Sequence, residues 1–190
     1  LLWFAGIHGA AIVSGMLQMF WLTNLGMNQS ALAAGTPLPH IFMEVFWTFF
    51  IVIGGSGATM GLVICYLRSR SAHLRSIGRL SVVPSVFYIN EPVIFGTPIV
   101  MNPVFFIPFL LAPTVNAVIA WAAMKMDLIG RVISVVPWTA PAPIGAAWGL
   151  GWDFRAAILV VILAVVSGLI YYPFFKVYEK QLLDQEAEEA

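Results

Sequence analysis

Charged side chains are scarce in this sequence. Only 9% of its 190 residues are Asp, Glu, Lys or Arg, against roughly 25% in soluble domains. The formal net charge is zero, so nothing in the charge balance points to nucleic-acid binding. Cysteine is nearly absent as well. The single Cys65 excludes a disulfide within the chain and a metal site built from cysteines alone.

Long apolar stretches take the place of the missing charges. Hydrophobic residues make up 61% of the sequence, which exceeds the roughly 45–50% of soluble domains and is typical of a membrane protein. Four stretches each have the roughly 20 apolar positions that cross a bilayer: 3–23, 45–67, 99–124 and 156–175. The sequence therefore predicts an all-α, polytopic membrane protein with about four transmembrane helices.

Two further apolar stretches are rich in proline. They are 80–98, with Pro84, Pro92 and Pro98, and 132–152, with Pro137, Pro141 and Pro143. Neither can form one uninterrupted helix, because an internal proline removes a backbone donor and clashes with the preceding turn. Broken backbone at membrane depth is tolerated where protein or a water-filled cavity satisfies it. Both stretches are predicted to be re-entrant hairpins or discontinuous helices; the alternative is a pair of kinked spans.

Basic residues set the predicted orientation. The loop 68–79 carries four arginines and no acidic residue: Arg68, Arg70, Arg75 and Arg79. We place it in the cytoplasm, since cytoplasmic loops carry an excess of Lys and Arg; lipid head groups or a docking protein would both explain its charge. Residues 176–190 are expected to form a cytoplasmic C-terminal tail. The two broken stretches then enter from opposite faces, as at a transporter binding site.

The motif Asn90-Glu91-Pro92 places a carboxylate at the edge of a stretch with no further charge until Lys125. A charge at membrane depth costs about 2.5–3.5 kcal/mol on insertion scales, so Glu91 is expected to face a cavity, a partner or a substrate. Pro92 favours extended geometry at Asn90, and the resulting turn exposes both polar side chains. We interpret Glu91 as functional. A structural ion pair is the alternative, although no Lys or Arg lies within ten residues.

Two histidines near the start of the chain are less specific. His8 is flanked by Gly6 and Gly9, whose missing side chains let a ligand or a second helix come close. Its spacing leaves open whether it is functional or a hydrogen-bonded helix residue. His40 and Glu44 lie at i,i+4, on one face of a helix, where a metal ion could bind. Since a third ligand is lacking, we interpret them as interfacial residues and predict no metal site.

The tryptophans fall into two groups. Trp21, Trp47 and Trp121 lie near the ends of predicted spans, where an aromatic belt at the membrane interface explains them. Trp138 follows Pro137 inside the second broken stretch, so irregular backbone presents its flat ring. Aromatic faces suit the C–H faces of sugars, while Glu, Asn and His suit their hydroxyls. This mixture favours a polyhydroxylated solute over an ion.

Three motifs together resemble a known family. YINEPVIFGTPIVMNPVFFIPF contains Glu91, WFAGIHG precedes it, and PWTAPAPIGAAW follows it. Their order and spacing resemble the membrane-embedded IIC component of the lactose/cellobiose (diacetylchitobiose) family of the bacterial phosphoenolpyruvate-dependent sugar phosphotransferase system. The resemblance covers nearly the whole chain and corresponds to the C-terminal half of the family. Residues 1–175 would be its substrate-binding transport domain. The chain opens at Leu1 without signal-peptide features, and we interpret it as part of a longer transporter.

This resemblance implies an activity. Family members take up a β-linked disaccharide, such as cellobiose, diacetylchitobiose or lactose, across the bacterial plasma membrane and couple uptake to its phosphorylation. The donor is a phosphocysteine on a separate IIB protein, which IIA supplies in turn. This chain would then be the membrane part of a phosphotransferase without carrying a phosphorylated residue. Cys65 is not the expected donor, because its apolar surroundings disfavour the thiolate. The resemblance implies a homodimer for the full-length protein and no cofactor.

The resemblance also assigns roles to residues. Glu91 would contact the 6-hydroxyl that becomes phosphorylated, since a carboxylate within hydrogen-bond reach can accept its proton. His8 would hydrogen-bond the same ring, and Trp138 would stack on the sugar. Asn90 would orient the loop or bind a hydroxyl, and Trp3 is a further candidate for substrate contact.

An integral membrane enzyme is the main alternative from another functional class. A glycosyl- or phosphoryl-transferring enzyme of this kind would use His8 and Glu91 as its own acid and base. It would normally need acidic metal-binding clusters, and the sequence contains none. A non-catalytic assembly subunit would leave Glu91 without a purpose. We therefore favour the sugar permease.

Overall fold

The computed structural model describes residues 2–5, 7–100 and 102–188, and the regular secondary structure within these ranges is entirely helical. A 3₁₀ turn, Leu2–Ala5, is followed in these ranges by α1 (Gly9–Ala33), α2 (Glu44–Phe46), α3 (Met60–Leu67), α4 (Ala72–Val86), α5 (Glu91–Gly96), α6 (Pro103–Lys125), α7 (Ala142–Gly149) and α8 (Phe154–Glu188). A π-helix, Trp47–Ile51, continues directly from α2. The predicted all-α fold class is confirmed.

Helices α6 and α8 are long and apolar enough to cross a membrane, and they match the last two predicted spans. They contain 23 and 35 residues. The two helices run antiparallel, because Phe105 near the start of α6 packs its ring on Tyr178 near the end of α8. Midway along the pair, Asn116 Nδ2 donates a hydrogen bond of 3.0 Å to Ser167 Oγ. Residues 176–188, predicted as a tail, continue α8.

Helix α1 is displaced toward the C-terminus relative to the predicted span 3–23 and continues ten residues beyond it, to Ala33. Asn28 accounts for this extension. Its buried Nδ2 donates 2.9 Å hydrogen bonds to the carbonyl oxygens of His40 and Val132, and its Oδ1 accepts one from the His40 N–H. These bonds tie the end of α1 to two distant loops, so tertiary contacts stabilise the extra helical turn.

The prediction of one uninterrupted span over 45–67 is wrong, because residues 52–59 lie outside any helix. This glycine loop contains three glycines with φ between +77° and +106°: Gly54, Gly55 and Gly57. Glycine enters this left-handed region without the steric cost of a side chain. A Cβ added at Gly55 would overlap the side chain of Asn90. The loop therefore brings the chain into direct contact with the Asn90 turn.

Both proline-rich stretches contain the predicted interruption. In the first, α4 ends before a turn at 87–90, and the short α5 follows. In the second, residues 129–141 are not helical and only α7 is. Their depth in a membrane stays a prediction. The predicted loop 68–79 is shorter than expected, since α4 already starts at Ala72, where Ser71 caps it by accepting a hydrogen bond from the Leu74 N–H.

Helices α3 and α8 touch backbone to backbone. Gly61 faces Gly168, and a Cβ added at Gly61 would overlap the Gly168 backbone. Small residues permit this close approach between membrane helices. Farther along α8, Tyr171 donates a 2.7 Å hydrogen bond to the carbonyl oxygen of Gly57. Helix α8 therefore also fixes the glycine loop.

The end of α8 holds the arginine-rich loop that precedes α4. Glu179 is buried and accepts hydrogen bonds from Ser69 Oγ at 2.6 Å and from the Arg70 N–H at 2.7 Å. Two helical turns later, Glu186 accepts a 2.6 Å hydrogen bond from Ser71 Oγ. The loop and the C-terminal segment thus lie at the same end of the molecule. This is consistent with the prediction that both face one side of the membrane.

Candidate functional site

A cavity of about 440 Å³ lies where the interrupted segments meet the start of α1. Ligand pockets in proteins range from about 300 to 1,000 Å³ and combine aromatic walls with a few polar groups. The polar and aromatic side chains in the wall include His8, Ser14, Trp21, Glu44, Trp47, Thr48, Ser56, Tyr88, Asn90, Glu91 and Trp138. The cavity therefore brings together four of the five predicted site residues.

A larger cavity of about 560 Å³ adjoins the first and shares Trp47, Val52 and Ser56 with it. Its other walls are almost entirely apolar, and the described residues that line it include no ionisable side chain. A site that orients a polar ligand needs convergent polar groups. We therefore take the smaller, polar cavity as the candidate site.

His8 and Glu91 face each other across this cavity. His8 Nδ1 accepts a 3.2 Å hydrogen bond from the Ala11 N–H as the N-cap of α1. A neutral imidazole with Nδ1 as acceptor carries its proton on Nε2. Nε2 lies 4.0 Å from Glu91 Oε1, and both side chains are about half exposed, at 51% and 46%. This spacing is too long for a direct hydrogen bond, but a hydroxyl group of a ligand could reach both atoms.

The Glu91 carboxylate has few protein partners. Glu91 is the first residue of α5 and is followed by Pro92, whose ring suits the first turn of a helix. Its Oε2 is buried without a hydrogen-bond partner among the described residues. An ionised carboxylate offers about four acceptor positions. Glu91 is therefore a largely unsatisfied acceptor at the cavity wall, and no described Lys or Arg pairs with it as a structural ion pair would require.

Asn90 is bonded to the glycine loop. The prediction of an extended and exposed Asn90 is wrong: its ψ is 11° and the residue is only 3% exposed. The residue directly before Pro92, on which the proline acts, is Glu91. The Nδ2 group donates to the Ser56 carbonyl oxygen at 2.8 Å and to Thr59 Oγ1 at 2.9 Å. Both amide protons are thus used by the protein. Of the two roles considered for Asn90, orientation of the loop has the stronger structural support.

The two predicted tryptophans lie in different places. Trp138 is 54% exposed and lines the candidate cavity from the segment before α7. The Trp3 ring lies 4.5 Å from the His8 imidazole, measured between centroids, but it lines the neighbouring apolar cavity. Trp3 therefore packs behind His8 rather than beside Glu91. This placement favours a role in positioning His8 over contact with the substrate.

Glu44 is the main site residue that the sequence-based interpretation missed. It was grouped with His40 on one helical face, and this is wrong because His40 precedes α2 in non-helical backbone. His40 Nε2 lies 3.3 Å from Met27 Sδ, whereas Glu44 lines the candidate cavity. Glu44 starts α2 directly after the extended Met43, so the turn of helix that the i,i+4 spacing assumed does not exist. The described part of the chain contains no group of three potential metal-binding side chains.

Residues 1–113, more than half of the chain, match the family described as "Phosphotransferase system, EIIC". The chain belongs to this family. The resemblance of the three sequence motifs is thereby confirmed. This EIIC chain is 40% identical over 188 residues to the lichenan permease IIC component of Bacillus subtilis (strain 168), a match that covers 98% of this chain and 42% of that protein.

Two further comparisons agree with this assignment. The EIIC chain is 40% identical over 189 residues to the lactose-specific EIICB component of Streptococcus mutans, with 99% of this chain and 33% of that protein covered. It also matches the crystal structure of ChbC, the IIC component of the N,N'-diacetylchitobiose-specific phosphotransferase system. The TM-score is 0.94 at 40% identity, over 100% of this chain and 44% of that chain. The EIIC chain thus spans less than half the length of these proteins.

Family membership places this EIIC chain in a membrane, in agreement with its two long apolar helices. The comparisons favour the permease over the integral membrane enzyme that the sequence left as an alternative.

Proposed function

We propose that this EIIC chain forms the sugar-binding part of a plasma-membrane permease. It binds a β-linked disaccharide, carries it across the membrane and presents its 6-hydroxyl for phosphorylation by a phosphorylated IIB protein. The observation that carries the proposal is the pairing of His8 and Glu91 across 4.0 Å in a cavity that Trp138 also lines. The disaccharide class is supported by relatives named for lichenan, lactose and diacetylchitobiose.

A sugar hydroxyl placed between His8 and Glu91 would satisfy both side chains. Its oxygen accepts a hydrogen bond from His8 Nε2–H, and its proton is donated to Glu91 Oε1. During transfer, the new O–P bond forms as the S–P bond of the IIB phosphocysteine breaks. The hydroxyl proton passes to Glu91 as general base, and the cysteine leaves as a thiolate on IIB. No residue of this chain is phosphorylated.

The other site residues position the sugar. Trp138 offers an exposed aromatic face to the C–H face of a pyranose ring. Asn90 fixes the glycine loop, and Trp3 packs against His8 and limits its rotation. In this proposal His8, Glu91 and Trp138 touch the substrate directly, while Asn90 and Trp3 act through the residues they hold.

The chain is also proposed to have a defined orientation in the membrane and defined protein partners. Loop 68–71 and the start of α4 face the cytoplasm, where IIB docks after receiving its phosphoryl group from IIA, and their arginines contact lipid head groups or IIB. Helices α1, α6 and α8 cross the bilayer, and the interrupted segments approach the cavity from opposite faces. The full-length permease is proposed to be a homodimer.

The proposal is tested with membranes that contain the full-length protein. Supplied with phosphoenolpyruvate and the soluble phosphotransferase proteins, they are expected to convert cellobiose, lactose or diacetylchitobiose to its 6-phosphate. Membranes without the protein are the control. Failure to phosphorylate or bind any of the three disaccharides would contradict the proposed substrate class.

A further inference from the structure

The candidate cavity is elongated along α1. His8, Ala11, Ser14 and Trp21 all line it, spaced at three, three and seven residues on one face of the helix. Thirteen residues of α-helix span about 20 Å. The reacting pair of His8 and Glu91 lies at one end of this stripe. The other end is left for a part of the ligand that is not phosphorylated.

Glu44 lies toward the opposite end of the cavity. Its Oε2 accepts a hydrogen bond of 3.4 Å from Gln18 Nε2, and Gln18 is ten residues beyond His8 on α1. Ten helical residues correspond to about 15 Å. The two carboxylates of the cavity are therefore separated along α1 by more than the reach of one sugar ring held by Glu91.

Local backbone explains why Glu44 faces the cavity. The preceding Met43 is extended, with φ −146° and ψ 177°, so α2 starts abruptly at Glu44. The π-helix Trp47–Ile51 then follows, and both Trp47 and Thr48 line the same cavity. The wall around Glu44 therefore combines a carboxylate, a hydroxyl and an aromatic ring. These are the groups expected around a carbohydrate rather than around a lipid chain.

The Glu44 carboxylate is poorly satisfied by the protein. Its only described hydrogen bond is the long one from Gln18, and its described surroundings provide no Lys or Arg partner. A half-buried carboxylate with free acceptor positions is costly to maintain in an apolar setting. Hydroxyl groups from a ligand would satisfy it with charge-assisted hydrogen bonds.

We propose that Glu44 binds hydroxyl groups of the second sugar ring, the ring that is not phosphorylated. This inference rests on the proposed function and adds a specificity determinant to it. Glu91 and His8 recognise the reacting ring, while Glu44 distinguishes a disaccharide from a single ring. Gln18 is a positioning residue that orients the carboxylate from α1.

The test uses the full-length protein, purified in detergent, and isothermal titration with paired ligands. The pairs are cellobiose with methyl β-glucoside, lactose with methyl β-galactoside, and diacetylchitobiose with methyl N-acetyl-β-glucosaminide. Glu44→Gln is expected to weaken binding of the accepted disaccharide about tenfold, the difference between a charged and a neutral hydrogen-bond acceptor. Affinity for the one-ring partner should change less than about twofold, since that ring stays at Glu91.

Two further variants complete the test. Glu188→Gln makes the same chemical change at the exposed end of α8 and should leave both affinities unchanged. Glu44→Asp retains the charge and should recover part of the lost disaccharide affinity. It also replaces Glu44→Gln if that variant does not fold, as judged by thermal unfolding without sugar.

The outcomes separate this inference from the proposed function. If the wild type binds a disaccharide and Glu44→Gln binds it equally well, or loses both ligands equally, the role of Glu44 is refuted and the permease proposal stands. If the wild type binds none of the saccharides, both are refuted.

Discussion

The two interrupted segments that border the cavity are held in different ways. On one side, the turn at Asn90 and Glu91 is fixed by a buried amide that donates two hydrogen bonds to the glycine loop. On the other, Trp138 stands 54% exposed, and a nearby anchor is Asp153, whose carboxylate accepts a 2.8 Å hydrogen bond from the Gly130 N–H. The backbone turn that carries Glu91 is thus fixed by its neighbour Asn90, while the Trp138 ring is left accessible. The proposed roles would benefit from this difference, because proton transfer depends on distance more steeply than stacking does.

The largest expected effect is that of Glu91→Gln on the fixed side. The amide keeps the shape of the side chain and some hydrogen bonding, but it cannot accept the hydroxyl proton. Sugar-phosphate formation by membranes supplied with the soluble phosphotransferase proteins should fall by about 10²–10⁴-fold, the usual contribution of a general base. Equilibrium binding, measured on the same preparation, should fall only modestly. Phosphorylation at the wild-type rate would exclude the catalytic role.

Asn90→Ala should reveal that the fixed side depends on the glycine loop. The Ser56 carbonyl oxygen and Thr59 Oγ1 lose their donor in a buried place, which should lower the free energy of unfolding by about 1–3 kcal/mol. Thermal unfolding in detergent measures this. Thr59→Ala removes one of the two acceptors and serves as a partial control. Weakened sugar binding with unchanged stability would instead indicate that Asn90 contacts the ligand.

Trp138→Ala should show the opposite behaviour on the accessible side. We expect disaccharide binding to weaken by about 1–3 kcal/mol, the scale of burying an aromatic face, with little change in stability because the ring is exposed without ligand. Isothermal titration tests this. Trp152, similarly exposed at 57% but outside the cavity, provides the control variant Trp152→Ala. Unchanged affinity of Trp138→Ala would mean that the ring only packs.

The smallest effect is expected at the anchor of the accessible side. Hydrogen bonds from Arg155 hold the pKa of the Asp153 carboxyl below its usual value, and the bond from the Gly130 N–H adds to this. Because the native pKa lies below the unfolded value, the ionised Asp153 stabilises the fold at pH values above the ordinary pKa of aspartate. This contribution is lost as pH falls through the lowered native pKa.

Asp153→Asn should therefore cost less than about 1 kcal/mol at neutral pH, the scale of an exposed ion pair. The cost should shrink as pH is lowered toward and below the aspartate range. Unfolding of the wild type and the variant is measured in parallel across pH. The difference between their free energies of unfolding cancels the contributions of other carboxylates. A constant difference at every pH would show that the ionised form is not the stabilising one.

Much of the fold and of the site follows from the sequence, for identifiable reasons. Proline acts locally, so the breaks in 80–98 and 132–152 were predictable from the three prolines that each stretch contains, although α4 continues through Pro84. Scarce charge and long apolar runs gave the helical class. Glu91 stood out because a carboxylate is rare among apolar residues.

The missed features depend on contacts between distant residues. Apolar residues surround the glycines in 45–67, so hydrophobicity predicts a span there, while the close approach of Asn90 to Gly55 requires a break. Glu44 lines the cavity from the start of α2, which follows extended backbone at Met43 rather than the helix that its spacing from His40 suggested. Trp3 was a candidate for substrate contact, but its ring packs against His8 and lines the apolar cavity, which sequence spacing cannot show.

The charge of the cavity wall has a consequence for release of the proposed product, a sugar phosphate. Among the described residues that line the cavity, the ionisable side chains are Glu44, Glu91, His8 and Tyr88, and none is Lys or Arg. The proposed substrate, a disaccharide, would enter without charge, whereas its 6-phosphate would carry about −1.5 to −2 charges at neutral pH. Like charges repel strongly where water is partly excluded. Phosphoryl transfer would therefore convert a neutral ligand, which the cavity binds, into an anion that its carboxylates repel. Product inhibition should accordingly be weak, and the phosphoryl group itself would give transport its direction.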